Sequence, residues 1–288
     1  MDGDLGGGDS AGSVMGDRRD PTIQSVDRAA RILKALAAGS PRLGVSELAE
    51  RLGLAKTTVH GLLRTLERQD LVEQDPETGK YRLGPEMLQL GNAFLDHHEL
   101  RGRSLVWADT LAERVGEAVR VGVLYGRKVL VVHHVFRPDD SVQILEVGAS
   151  VPWYASALGK VHAAFLPSDR RRTLVSGPLQ RLTGRTIVDP HALALALEEI
   201  AAAGFSTEAH EAVIGEGEVA AAVFDHRGHP VGAIGVVGPV ERLLPAGPAA
   251  ELVVALTDTA KRLSWEMGAR RGRAGTIGHS IPRAGVGG

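Results

Sequence analysis

At 288 residues, with 43% hydrophobic and 24% charged side chains, the chain is long enough for two globular domains of ordinary composition. Its formal net charge of -2 excludes a polyanion binder that works by bulk charge, so any affinity for nucleic acid must come from a local surface. The absence of cysteine excludes disulfides, thiolate metal sites and a cysteine nucleophile, and no apolar run approaches the ~20 residues that a membrane span requires.

Residues 1–20 are rich in Gly, Ser and Asp and are expected to form a disordered tail. No basic and then apolar leader precedes the rest, so the expected compartment is the cytoplasm. A first helix follows from Ile23, with Ala29, Ile32, Leu33 and Leu36 on its core face and with Gly39 and Pro41 ending it. From Val45 to Arg68 the pattern reads as helix, tight turn at Gly53, helix. Ser46 is the expected N-cap of the first of these, and Leu48, Ala49 and Leu52 its apolar face. The second carries Val59, Leu62, Leu63 and Leu66 on one stripe. Its other side carries Thr57, His60, Gly61, Arg64 and Arg68, with Lys56 at the start. Short polar and cationic groups on one side of a helix suit a DNA major groove, although a solvated face of an ordinary helical hairpin would look the same. Leu71–Glu73 and Lys80–Leu83 are two short strands joined by the turn Asp75-Pro76-Glu77-Thr78-Gly79. A helix-turn-helix followed directly by such a hairpin is a winged helix, and Thr78, Gly79 and Lys80 at its tip are placed to meet a phosphate or a minor groove.

The motifs Ser25-Val26-Asp27-Arg28-Ala29, Leu48 to Leu54, Lys56 to His60 and Gly79 to Gly84 resemble the IclR-type transcription factors. So do Val151-Pro152, Ser156-Ala157-Leu158-Gly159-Lys160 and the run Gly215 to Asp225 farther on. The similarity covers about residues 22 to 268 and lies in both halves in the family's order. It implies an α+β protein with a winged helix-turn-helix at 22–84, a linker helix at 85–99, a GAF-like antiparallel-sheet effector domain at 100–268 and a loose tail at 269–288. Together with the residue pattern it implies DNA contacts at Gln24, Ser25, Arg28, Ser46, Lys56, Thr57, Thr58, His60, Gly61, Arg64, Thr78, Gly79 and Lys80. Gly61 stands where the family often has arginine. The linker helix, with Leu88, Gly91, Phe94 and Leu95 on or near one face, is expected to run on to Glu99 and to help dimerise the DNA-binding part.

The second half alternates helices and strands. A helix over Leu105, Ala108, Leu111, Ala112 and Val115 ends at Gly116, and strands follow at 119–124, 129–132 and 142–147. Residues 149–154 read as a loop and Ala155 to Phe165 as a small-residue helix. Asp189-Pro190 caps a helix closed by Gly204. Strands at 219–224 and 231–237 join through His226-Arg227-Gly228, and a last helix runs from Ala249 to Met267.

No enzyme is expected. Ser156 and Lys160 lie four apart on a helix, yet no histidine or acid can be placed beside them to activate the serine. Tyr154 and Val161 stand where a phosphate-binding loop needs Gly and Ser or Thr. His133 and His134 are neighbours on a strand and point to opposite faces, so no metal and no cofactor are expected. A loop feeding a helix N-terminus at Ser156 and Ala157 exposes backbone N–H groups able to hold a hydroxyl, carboxylate or phosphate. The resemblance places effectors near Ser156, Ala157, Leu158, Glu208 and Glu218. Glu218 stands where family members often carry Cys or another small residue, and Ala222 replaces the strand's usual proline. If both glutamates line the pocket and stay ionised, they repel a dicarboxylate and suit a polyol or an amine.

Within the family, the runs His133 to Ser141, Asp96 to Arg101 and Val240 to Leu243 resemble glycerol operon regulators, which implies glycerol or glycerol 3-phosphate as effector. The resemblance further implies a homodimer or homotetramer on double-stranded DNA with a palindromic operator, and repression as the commoner mode. The competing expectation is a small-molecule-binding or enzymatic GAF-like domain whose winged helix docks protein instead of DNA.

Overall fold

The computed structural model describes residues 23–38, 42–139 and 141–269, and the expected tails, except Ala269, and the Gly39 and Pro41 helix stop lie outside them. The chain divides into two compact units whose boundary falls between Ala93 and Phe94, inside the linker helix. No helix among the described residues is long and apolar enough to cross a membrane.

In the first unit α1 (Gln24–Ala37), α2 (Val45–Leu52) and α3 (Lys56–Glu67) precede the hairpin β1 (Val72–Gln74) and β2 (Tyr81–Leu83). The apolar stripes of the three helices converge: Ile32, Leu36, Leu48, Val59, Leu63 and Leu66 bury against Val72 and Tyr81. Gly53 makes the expected turn with φ 66°, a left-handed conformation that glycine adopts without a Cβ clash. Ser46 is not the N-cap. α2 begins one residue earlier, at Val45, with Gly44 as N-cap, and the Glu47 carboxylate reaches back to the Gly44 N–H. Leu43 fixes that start, because it exchanges two backbone hydrogen bonds with Tyr81 of β2 and leaves the helix to begin immediately after it.

α4 (Glu86–Asp96) stops short of the expected Glu99. The imidazole of His98 accepts the Arg101 N–H and so caps a separate helix, α5 (Glu99–Val115), which Gly116 closes. No side chain of α4 is buried.

The second unit is built on one antiparallel sheet of β3 (Ala118–Tyr125), β4 (Lys128–Val135), β5 (Ser150–Pro152), β6 (Ser206–Ala209), β7 (Glu216–Phe224) and β8 (Pro230–Pro239), in the order β5-β4-β3-β8-β7-β6. Between β5 and β6 lie α6 (Ala157–Ala164), α7 (Ser168–Val175) and α8 (Pro190–Ala203), and after β8 come α9 (Val240–Leu243) and α10 (Ala250–Glu266). Alternation along the strands sorts the side chains. Val119, Val121, Val219, Ile234 and Val236 face α5 and α10 in one core. Ala220, Ala222 and Ala233 face α6 and α8 in the other, with Trp153, Leu158, Val161, Leu193 and Leu197. Small residues on that face let α6 lie close to the sheet. At its first turn a Cβ on Gly159 would meet the Trp153 carbonyl oxygen at 2.2 Å, so only glycine fits.

The strand expected at 142–147 does not form. Residues 136–139 and 141–149 are irregular, tied by Gln143 to the Arg137 backbone, and Val142, Ile144 and Leu145 stay exposed. Their β-forming pattern lacks a neighbouring strand to pair with. The expected loop at 149–154 instead contains β5 and a single 3-10 turn, Trp153–Ala155, which delays α6 to Ala157. α7, β6 and α9 were not legible in the pattern.

Candidate functional site

Two surfaces bear on function, one in each unit. On α3 the packing of Val59, Leu63 and Leu66 turns Lys56, Thr57, His60, Gly61 and Arg64 outward, and all five are exposed. Thr58 is half-buried. Lys56, Arg64 and Arg68 form no ion pair with a described residue, so their charge is available to a partner. Gln24 and Ser25, at the start of α1, and Ser46, in the first turn of α2, are exposed as well, while Arg28 is half-buried.

The wing is less cationic than its sequence suggests. Asp75 accepts the Glu77 and Thr78 N–H groups and shapes the turn, and Gly79 takes φ 67° there. Each neighbouring cation has an acid. Lys80 Nζ lies 3.3 Å from Glu47 Oε1, Arg82 pairs with Glu73, and Arg42 with Asp75. The Gly44 N–H and Lys80 hold the Glu47 carboxyl below its ordinary range. The excess of positive charge therefore sits on α3, not at the wing tip.

In the second unit the N–H groups at the start of α6 are already engaged. Glu218 Oε2 accepts from Ala157 N at 2.8 Å and from Leu158 N at 3.2 Å, and Ser156 Oγ accepts from Gly159 N at 3.0 Å. The expectation that these donors stand open to a ligand is corrected by Glu218, which reaches them from β7. Glu208 lies directly across the β6–β7 ladder from Glu218, so the two glutamates do come together. Glu208 Oε1 accepts the N–H groups of Glu211 and Ala212.

Sequence reasoning missed Arg120, Glu211, Glu146 and Glu216. Arg120 is the lone cation in the apolar run of β3. Its guanidinium lies 3.0 Å from Glu216 Oε1, 2.6 Å from Glu146 Oε1 and 3.9 Å from Glu218 Oε1. The buried Lys160 meets Glu211 Oε1 at 2.6 Å instead of activating Ser156. A cleft of about 490 Å³ opens beside this cluster, lined by Arg120, His134, Glu146 and Glu216 and flanked by Val142, Ile144, Val213 and Ile214. Ser156, Ala157, Leu158, Glu208 and Glu218 are buried and do not line it. His134 Nδ1 accepts the Glu146 N–H, and among the described residues no group of three or more His, Asp or Glu side chains could hold a metal ion.

Burial raises all three enclosed carboxyls. For Glu218 the opposing influences are Arg120 and the two α6 N–H groups, and for Glu211 it is Lys160. Glu208 is pushed up to about 7 by burial, with Glu218 and Glu211 adding to the rise. In the unfolded chain the same carboxyl titrates near 4.5. The folded state therefore holds an extra proton between these values. Its contribution is complete below about pH 4.5 and is lost as pH rises through 7, a change on the order of 3 kcal/mol. Urea unfolding at about pH 5 and about pH 8 checks this: Glu208→Gln should flatten the fall in stability seen in the unsubstituted protein, and an unchanged fall would remove Glu208 as its source.

Both units have counterparts among known proteins. Residues 25–76 match the family model of the IclR helix-turn-helix domain, and residues 92–265 that of the bacterial transcriptional regulator IclR C-terminal domain. The chain is 51% identical over 250 residues to the glycerol operon regulatory protein of Streptomyces griseus, covering 86% of this chain and 98% of that one. The protein of the same name from Streptomyces coelicolor is 47% identical with the same coverage. Among solved structures, an IclR transcriptional regulator from Alicyclobacillus acidocaldarius superposes with a TM-score of 0.74 at 28% identity, over 86% of this chain and all of that one. HmgR of Pseudomonas aeruginosa follows at 0.66 and 31%, over 85% and 99%.

Proposed function

The chain belongs to the IclR family of bacterial transcriptional regulators, and from that premise we propose that it represses an operon for glycerol use and releases it when a small molecule binds the second unit. The observation that carries this reading is the 51% identity to a glycerol operon regulator across both units, not across one of them. The exposed, unpaired cations of α3 support DNA as the partner. A homodimer or homotetramer would present two α3 helices to half-sites of a palindromic operator, roughly one helical turn or a multiple apart. The protein would act in the cytoplasm, where its operator is. Its effector would enter the Arg120 cleft and, by binding one arrangement of the protein better than another, shift operator affinity.

Arg64→Ala tests the DNA reading. Arg64 is exposed on the outward face of α3, so its loss should leave folding intact and weaken operator binding by about 1–3 kcal/mol, or roughly 5- to 150-fold. Gel-shift titration on the DNA upstream of its own gene, repeated across a salt series, measures both the loss and the flattening of the salt slope. If the operator is bound equally well without Arg64, the winged helix docks something other than DNA.

A further inference from the structure

A second cleft in the same unit lies toward the C-terminal end of α6, away from Ser156 and Ala157. It measures about 440 Å³ and opens between α6, α7, the β3–β4 turn at Gly126 and the start of β8. The Arg120 cleft and Glu218 are elsewhere on the sheet. Glu218 pairs with Val237, and the second cleft reaches Pro230, seven residues earlier on β8 and so roughly 20 Å away along an extended strand. Leu124, Leu166, Leu174, Pro230 and Val231 wall it with apolar surface. Asp169, Arg170 and Thr173 also line it, and all three are exposed. The two charges are opposite in sign and lie in water, where solvent and salt screen them.

The one enclosed polar group is His162. It lines the cleft but is 7% exposed, and its Nδ1 is buried with no hydrogen-bond partner among the described residues. Burial, with Arg170 adding, pushes the imidazole down to about 4. Near neutral pH the ring is therefore uncharged, with one nitrogen donating and the other accepting. A buried polar atom without a partner is destabilising, and such atoms are rare in folded proteins. Packing does not require one at this position, because Val161, Ala163 and Ala164 beside it on α6 fill the same core with apolar groups.

We propose that this cleft is a second ligand site, for a small uncharged molecule with an apolar body and one hydroxyl, and that the hydroxyl bonds to His162. A hydroxyl both donates and accepts, so it suits whichever ring nitrogen faces it. The apolar body would cover the leucines and Val231, and the volume is that of an ordinary small-molecule pocket. A carboxylate fits poorly. The neutral ring offers it a single donor at most, the apolar walls cannot replace its hydration, and Asp169 offsets Arg170. The site stands or falls apart from the identity of the effector in the Arg120 cleft.

Calorimetric titration of the full-length protein with p-cresol, toluene and p-toluate tests the proposal, with heteronuclear NMR of the imidazole rings alongside. The cresol should bind about fivefold tighter than toluene, which has the same ring without the hydroxyl. It should bind about tenfold or more tighter than p-toluate, which carries a carboxylate instead. It should also move the His162 ring signals, assigned by their absence from His162→Leu. That variant should bind the cresol and toluene alike. Should it fail to fold, Thr173→Trp changes an exposed residue at the cleft, and it should remove most cresol binding while the melting temperature holds. No binding of the cresol, a carboxylate bound as tightly, or His162 signals that stay still while the cresol binds would overturn the proposal. So would cresol binding unchanged in Thr173→Trp.

Discussion

Lys160→Met should cost about 3–5 kcal/mol of the second unit's stability, a large share of the roughly 5–15 kcal/mol of an ordinary domain. Lys160 is 3% exposed, and among the described residues its one charged partner is Glu211, 2.6 Å away. Methionine nearly reproduces the side chain's length, so packing survives and the loss is electrostatic. The Glu211 carboxylate, whose Oε2 already has no hydrogen-bond partner, is left buried without a counter-charge. Thermal unfolding of the single variant and of Lys160→Met with Glu211→Met reads the effect. The double variant should recover most of the loss, since an apolar pair can replace a buried ion pair at little net cost. A single variant within about 1 kcal/mol of the unsubstituted protein, or a double variant no better than the single, would contradict this account.

Leu63→Ala should be comparably severe in the first unit, at about 2–5 kcal/mol. Leu63 has no exposed surface and lies in the core where α1, α2, α3 and the hairpin meet. The half-buried Leu62 beside it on α3 should cost about 1 kcal/mol when truncated, so the pair controls for helix propensity. Circular dichroism gives the stabilities. The functional consequence separates this variant from Arg64→Ala. Operator affinity lost through Leu63 should return on cooling as the core re-forms, whereas affinity lost through Arg64 should not. Loss of DNA binding by a fully folded Leu63→Ala protein would place that residue's role outside the core.

The sequence made the first unit readable because its structure is local. The stripe of Val59, Leu63 and Leu66 and the turn at Gly53 depend on residues a few positions apart, and the winged helix followed from them. The error at Ser46 arose from a contact that is not local, the bridge between Leu43 and Tyr81. The second unit's helices over Leu111 and Leu197, with their Gly116 and Gly204 stops, were readable for the same reason. Val142 to Val147 was misread because strand-like alternation does not reveal whether a partner strand exists. The site was half readable. Ser156, Glu208 and Glu218 were singled out by resemblance, and the ladder does set the two glutamates opposite each other. That Glu218 would close the α6 donors, or that Arg120 would gather Glu146 and Glu216, depends on the sheet bringing distant segments together. No periodicity encodes that. A single arginine within Val119 to Leu124 was the one available signal.

That sheet order also sets a timetable for synthesis. β3 pairs with β4 across a tight turn, but its other edge belongs to β8, which joins Val119 to Val236. At the roughly 5–20 residues per second of translation, β8 leaves the ribosome on the order of ten seconds after β3. The winged helix can be complete by then, with every strand of its hairpin made. Through that interval the valine-rich edge of β3 is an unpaired template for any other extended chain. A nascent regulator of this build can reach its DNA-binding form before it has an effector site, and its long-range sheet closure is the step at which crowding, heat or a missing chaperone would divert it to aggregate.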